Sequence, residues 1–264
     1  MNTILALVGC ALPFTNGCLL RLHSRFKHAI NFTDEHDVLF TLHRYGKGCS
    51  PFGWVIRERD FACLSEITCL QVKYGTLHSA TLNISNRRQI NFSAPIGFLP
   101  PLNVSTFTQM TGLLGPLNQI VKGMPLPALE LLRSGLSKWA AGDTPDWSKL
   151  IGLGPGLTPS GDDMLCGALA ALYCHPRYRN KLGQLLFLPT YRQVMTLTTL
   201  VSCSYLDNAA RGQFSTQILR LLYALNKGQC ALPASRALLN HGHTSGADTL
   251  LGFITAQEWL EDNV

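Results

Sequence analysis

Two adjacent carboxylates, Asp162 and Asp163, follow a glycine- and proline-rich loop in the stretch GLGPGLTPSGDDMLCG, Gly152 to Gly167. Only 14% of the chain is charged, so a carboxylate pair opening an apolar segment is a candidate for acid–base or ligand-binding work. The pattern returns at HTSGADTLLGF, His243 to Phe253. Ser160-Gly161-x-Asp163-x-Leu165-x-Gly167 matches Ser245-Gly246-x-Asp248-x-Leu250-x-Gly252, an offset of 85 residues (245 − 160).

Each copy reads first as a capping box, with Ser160 or Ser245 as cap and Asp163 or Asp248 reaching back. Capping does not require Gly161 or Gly246, where glycine weakens a helix by about 1 kcal/mol. Nor does it require the Gly154-Pro155-Gly156 lead-in. A helix N-terminus offers unpaired N–H donors and about half a positive charge, so two such ends at one pocket form an anion site without a lysine. The candidate substrate-binding residues are therefore Gly154, Gly156, Thr158, Ser160, Gly161, Thr244, Ser245, Gly246 and Asp248. The candidate catalytic residues are Asp162, Asp163 and His243.

Three roles are open to the carboxylates. They cap their own helices, hold a divalent cation that bridges to phosphate, or accept an N–H from a substrate amide or carbamoyl group. Asp162 is the one that capping explains least, because Ala247 stands at its place in the second copy. His241 and His243 form an H-x-H pair, but no third ligand stands at metal-site spacing. No metal or cofactor is assigned; one of the pair, with His243 as the candidate, is read either as a proton shuttle or as a loop histidine bonded to backbone. In TTLVSCSYLDNAARGQF, Ser202 shares a helix with Thr199 and Ser204. Those hydroxyls either bond back to the preceding turn or line the pocket, and Arg211 is the candidate cation for an anionic substrate.

The elements that must position these residues change character along the chain. Short alternating segments dominate the first hundred residues: FKHAINF and VLFTLHR, joined as a hairpin by TDEHD, then GWVIRE, ITCLQVKY, SATLNIS and RQINF. They predict a small antiparallel sheet, barrel-like or sandwich-like. The glycine-rich YGKGCSPFGW reads as a link between strands. Three prolines in SAPIGFLPPLNVS mark the boundary. Helical periods follow: PALELLRSGLSKWA, a short helix at TPDWSKLIG capped by Thr144, a buried helix at DDMLCGALAALYC, and further helices to the C-terminus. The predicted class is α+β, with a β-rich domain over 1–100 and a helical bundle over 101–264 that carries both S-G-x-D motifs.

The net charge is +6, from basic residues scattered along the chain. This argues against a nucleic-acid partner and fits a small anionic ligand. Nine cysteines, an odd number with no CxxC, read as reduced thiols of a cytoplasmic protein. MNTILALVGCALPF has no basic residue before its apolar run, so it is not read as a secretory signal. No apolar stretch reaches the roughly 18 residues that span a bilayer, so no membrane association is expected.

GPGLTPSGDDMLCG together with GHTSGADTLLGF resembles the AllH-type proteins, and TTLVSCSYLDNAARGQF is similar to the segment between those motifs. In the N-terminal half the resemblance rests on LFTLHRYGKGCSPFGWVIR. It implies a subunit of oxamate carbamoyltransferase, working beside AllF-type and AllG-type subunits in anaerobic allantoin and purine degradation. That enzyme converts oxalurate and phosphate into oxamate and carbamoyl phosphate, so phosphate, carbamoyl phosphate and oxalurate are the implied small-molecule partners. The resemblance implies no particular catalytic residues and leaves a homo-oligomeric assembly open. Two other readings stand beside it: a non-catalytic assembly subunit, and a metal-dependent hydrolase or phosphotransferase using Asp162, Asp163, Asp248 and His243.

Overall fold

The computed structural model describes residues 2–113 and 115–263. The chain forms two compact units, residues 1–92 and 93–264. The first carries nine strands: β1 (Asn2–Ala6), β2 (Val8–Gly9), β3 (Leu19–Arg25), β4 (Ala29–Thr33), β5 (Leu39–Arg44), β6 (Gly53–Ile56), β7 (Cys69–Lys73), β8 (Thr76–His78) and β9 (Leu82–Asn86). A one-turn helix, α1 (Glu58–Phe61), lies between β6 and β7.

The strand order is β1-β9-β8-β7-β3-β4-β5-β6-β2. β1 pairs parallel to β9, and β2 pairs antiparallel to β6. These two strands are consecutive pieces of one segment, yet they stand at opposite ends of the order. The N-terminal segment therefore brings the sheet to near closure as a barrel and covers both of its edges. Leu20, Ile30, Phe32, Phe40, Leu42, Trp54, Leu70 and Ile84 are buried and form the core of this unit.

The predicted hairpin is present. β4 and β5 pair antiparallel from Ala29–His43 to Thr33–Leu39. Asp34 Oδ1 accepts the N–H of both His36 and Val38 (2.9 Å each), and Asp37 takes a left-handed φ of 59°. RQINF departs from expectation. Between Arg88 and Phe92 it makes one isolated bridge, Gln89 to Gly9, and no strand.

The second unit opens with a two-stranded ribbon, β10 (Met110–Thr111) and β11 (Gly115–Pro116). Nine helices follow among the described residues: α2 (Leu117–Ile120), α3 (Pro127–Ala141), α4 (Ser160–Cys174), α5 (Pro176–Leu182), α6 (Tyr191–Met195), α7 (Leu200–Ala210), α8 (Thr216–Asn226), α9 (Leu232–Leu239) and α10 (Ser245–Asn263). The short helix expected at Thr144 does not form. Asp146 Oδ1 takes the N–H of Ser148 in a side-chain-closed turn. The Trp147 ring drops against Gly135 of α3, and its Nε1 donates to Phe187 O (2.5 Å).

Every residue of α4 is buried. Its main partner is α10, the most extensively packed helix pair in the chain. The contacts fix the direction. Gly167 faces Thr249, Gly252 faces Met164, and Thr158 Oγ1 is 2.7 Å from Ser245 Oγ. Residues about 85 apart thus sit at equal height, so the helices run parallel and related by a local pseudo-twofold. A Cβ on Gly167 would lie 1.9 Å from Thr249 O, and one on Gly252 would lie 2.0 Å from Met164 O. The helices touch backbone to backbone at those two positions.

A methyl group at this crossing must push the helices apart. Gly252→Ala is expected to cost roughly 3 kcal/mol, the upper end for overpacking. Gly183→Ala, whose added Cβ would meet its nearest neighbour at 3.4 Å, is expected to stay within about 0.5 kcal/mol. Urea denaturation of both variants measures the difference.

Candidate functional site

Parallel packing places the N-termini of α4 and α10 side by side, and with them Asp162, Asp163 and Asp248. The capping box read from the sequence is not formed at α4. Its N-cap is Pro159, which supplies no side-chain bond, so Ser160 opens the helix and Asp163 stands at its fourth position. Backbone carbonyls take up the first-turn donors instead. Gly161 N–H donates to Leu153 O (2.9 Å) and Gly246 N–H to His241 O (3.2 Å). Ala247 and Asp248 donate to Thr244 O. The helix ends therefore contribute their dipoles more than their free N–H groups.

The motif glycines have a packing role. A Cβ on Gly161 would lie 1.9 Å from Leu150 O, and one on Gly246 would lie 2.0 Å from Leu238 O. Each glycine lets the preceding chain cross directly over its helix. Gly154 and Gly156 lie on the exposed lead-in loop with left-handed φ of 111° and 96°.

The three carboxylates have different surroundings. Asp162, least explained by capping, proves the best anchored. Its Oδ1 accepts Gly152 N–H (2.8 Å), and its Oδ2 accepts the hydroxyls of Ser202 (2.6 Å) and Thr198. It clasps the glycine-rich loop to the start of α7. Asp248 accepts the N–H of Gly112 with both oxygens (3.1 Å each). Gly112 follows β10 and comes so close that a Cβ there would sit 2.1 Å from Ser160 Oγ and 3.2 Å from Thr244 Oγ1. Asp163 is the exception. Its Oδ2 is buried and has no hydrogen-bond partner among the described residues.

Asp163 lines a small pocket of about 40 Å3. Thr158, Cys166, Tyr205, His241, Ser245 and Thr249 are among its neighbours there. His241 is held by Gln217, whose Nε2 donates to His241 Nδ1 (3.1 Å). His243 is exposed in the turn before α10 and does not line the pocket. Arg211 is also exposed and pairs with Asp207 (2.5 Å). Thr199 caps α7 by accepting Ser202 N–H (3.1 Å), and Ser204 bonds back to Leu200 O. Sequence reasoning missed Gly112, which lies 136 positions from its partner Asp248 and carries no local motif. It also gave Thr198 no role.

Burial pushes the Asp163 carboxyl well above the usual carboxylate range; the hydroxyls of Ser245 and Thr158 pull it back, and Asp248 and Asp162 push it up. Asp162 and Asp248 are also raised by burial, against the hydrogen bonds they accept. Burial first, then the neighbouring Asp163 and Asp162, push the Cys166 thiol well above its usual range, which disfavours the thiolate. No lysine or arginine lines the pocket. Among the described residues no three His, Cys, Asp or Glu side chains converge as metal ligands. The arrangement is a buried acid whose neutral form burial favours, with hydroxyls around it and room for a few atoms.

The raised carboxyls make the fold pH-sensitive with a definite sign. The folded chain keeps protons that the unfolded chain has released, so stability falls as pH rises from the ordinary carboxylate range. Asp163→Asn removes one such group. Its thermal midpoint is expected to gain on that of the wild type as pH rises from about 4. A midpoint difference independent of pH refutes the assignment.

A family model described as oxamate carbamoyltransferase subunit AllH matches residues 150–257, which include all three carboxylates. A second, described as the AllH family N-terminal domain, matches residues 9–95. No solved structure matches the chain. With its β-rich unit and its paired-helix unit each matched, the chain belongs to the AllH family.

Proposed function

We propose that this chain acts in oxamate carbamoyltransferase by holding the carbamoyl group in the pocket at the N-termini of α4 and α10. The reaction joins a phosphate oxygen to the carbamoyl carbon of oxalurate. The bond from that carbon to the oxamate nitrogen breaks, and the proton of hydrogenphosphate ends on that nitrogen. Negative charge gathers on the carbamoyl oxygen during the attack. The catalytic needs are positioning and an oxyanion donor.

One observation carries the reading: Asp163, whose buried Oδ2 has no hydrogen-bond partner among the described residues, lines a pocket of about 40 Å3. A water needs roughly 10–15 Å3 of such space, so the pocket suits about three heavy atoms. A carbamoyl group has three: nitrogen, carbon and oxygen. A protonated carboxyl offers one O–H donor and one carbonyl acceptor. A carbamoyl group offers the complementary C=O and N–H, so the two match in a paired hydrogen bond. The O–H of Asp163 then stands where the oxyanion develops, and Thr158 and Ser245 complete the ring of hydroxyls.

The charged parts of oxalurate and phosphate suit this pocket poorly. No lysine or arginine lines it, and the Asp163 carboxyl does. Those charges fit better outside, beside the glycine-rich loop and a partner. A subunit of a carbamoyltransferase implies other subunits, and the AllF and AllG types are the proposed ones. Among the described residues no helix is long and apolar enough to cross a membrane, in keeping with the proposed cytoplasmic site of action.

In the reconstituted complex, Asp163→Asn is expected to lower kcat about 100-fold, the usual loss for one oxyanion donor, with the complex intact by size-exclusion chromatography. Turnover near normal in an intact complex would instead leave this chain an assembly subunit. Asp162→Asn serves as the contrast, since losing its three-way clasp is expected to lower the thermal midpoint of the isolated chain.

A further inference from the structure

The parallel pair has a second end. The C-termini of α4 and α10 open onto a cavity of about 330 Å3, lined by Phe98, Ala171, Cys174, His175, Gln257 and Glu261 among others. A strap over residues 97–100 crosses here. Gly97 N–H donates to Cys174 O (2.9 Å), and Gln257 Nε2 donates to Pro100 O (3.1 Å). Those bonds tie the strap to both helix ends.

The strap uses the nitrogen of the Gln257 amide and leaves its oxygen. Gln257 is 7% exposed, and its Oε1 has no partner among the described residues. His175 is 8% exposed, and neither of its ring nitrogens has one. Three buried polar atoms without partners at one cavity is a concentration that folded proteins normally avoid. The His175 ring stands edge-on to Phe98 at 4.9 Å and also contacts Tyr178 at 5.2 Å. Phe98 is itself 73% exposed.

Charge selects the occupant. Two helix C-termini point at this end and bring the negative poles of their dipoles together. Glu261 adds a carboxylate, and no lysine or arginine lines the cavity. Burial and the nearby Arg177 hold the His175 imidazole toward its neutral form, which has one donor and one acceptor nitrogen. Anions are disfavoured here, and N–H donors are favoured.

We propose that this cavity binds a small, flat, uncharged or cationic heteroaromatic molecule through its N–H groups. Gln257 Oε1 accepts one N–H, His175 pairs with the ring, and the Phe98 side chain covers one face. The volume lies at the lower end of small-molecule sites, about 300–1,000 Å3, which fits one or two fused rings. This site is separate from the carboxylate pocket and does not depend on the function proposed for it.

The test uses the full chain with 2-aminobenzimidazole, a flat probe rich in N–H donors, and benzoate, a flat anion without them. Binding is followed by the His175 ring-proton resonances and the Phe98 amide in NMR spectra. The expected result is a saturable shift at millimolar 2-aminobenzimidazole, none with benzoate, and about tenfold weaker binding in Gln257→Leu. Absence of a saturable shift, equal binding of benzoate, or undiminished binding by a folded Gln257→Leu overturns the proposal. If that variant does not fold, a crystal of the wild type soaked with the probe decides. Density for the probe in the cavity against Phe98 and Gln257 supports the site, and ordered water alone there refutes it.

Discussion

Two helices of this chain meet through bare backbone, and the chemistry at both of their ends depends on that contact. Gly167 and Gly252 bring α4 and α10 within reach of each other's carbonyl oxygens. The geometry tolerates no side chain at either point. Parallel packing of two helices sets like poles together, which electrostatics alone disfavours. Three acidic residues stand in the first turns at the positive ends. Tight apolar burial along α4 and α10 supplies the attraction.

The three carboxylates at the positive ends show how environment assigns roles to one residue type. Asp162 receives three hydrogen bonds and serves as a clasp. Asp248 receives a backbone N–H on both oxygens and anchors the turn after β10. Asp163 keeps an oxygen without a partner. Burial raises all three, so the neutral form of the least bonded carboxyl costs little and its ionised form costs much. A neutral carboxyl is a donor as well as an acceptor, which suits an amide-like group better than a bare anion.

Much of the organisation was legible in residues. The alternation in VLFTLHR and the acidic link before it disclosed the β4–β5 hairpin, and the all-apolar run from Met164 disclosed a buried helix. The repeated S-G-x-D-x-L-x-G disclosed that two helix starts are related. The closure of the barrel was not legible. The run from Asn2 to Gly9 reads as one apolar segment, and its two halves pair with strands β9 and β6, far apart in sequence. Nor was the loss of a helix at Thr144, because Trp147 leaves the local pattern to fill the space over Gly135.

The sequence by itself determined the class and the repeated motif, which rest on composition, periodicity and local spacing, and the family, which rests on the resemblance of its motifs to AllH-type proteins. Only the tertiary structure decided what each motif residue does. Capping logic pointed to Asp162 as the carboxylate without a structural task, and the fold reverses this. Gly152, Thr198 and Ser202 converge on Asp162 from other segments, while one oxygen of Asp163 stays buried without a partner among the described residues. Hydrogen-bond partners contributed by distant parts of the chain are set by packing, and no spacing along one segment encodes them.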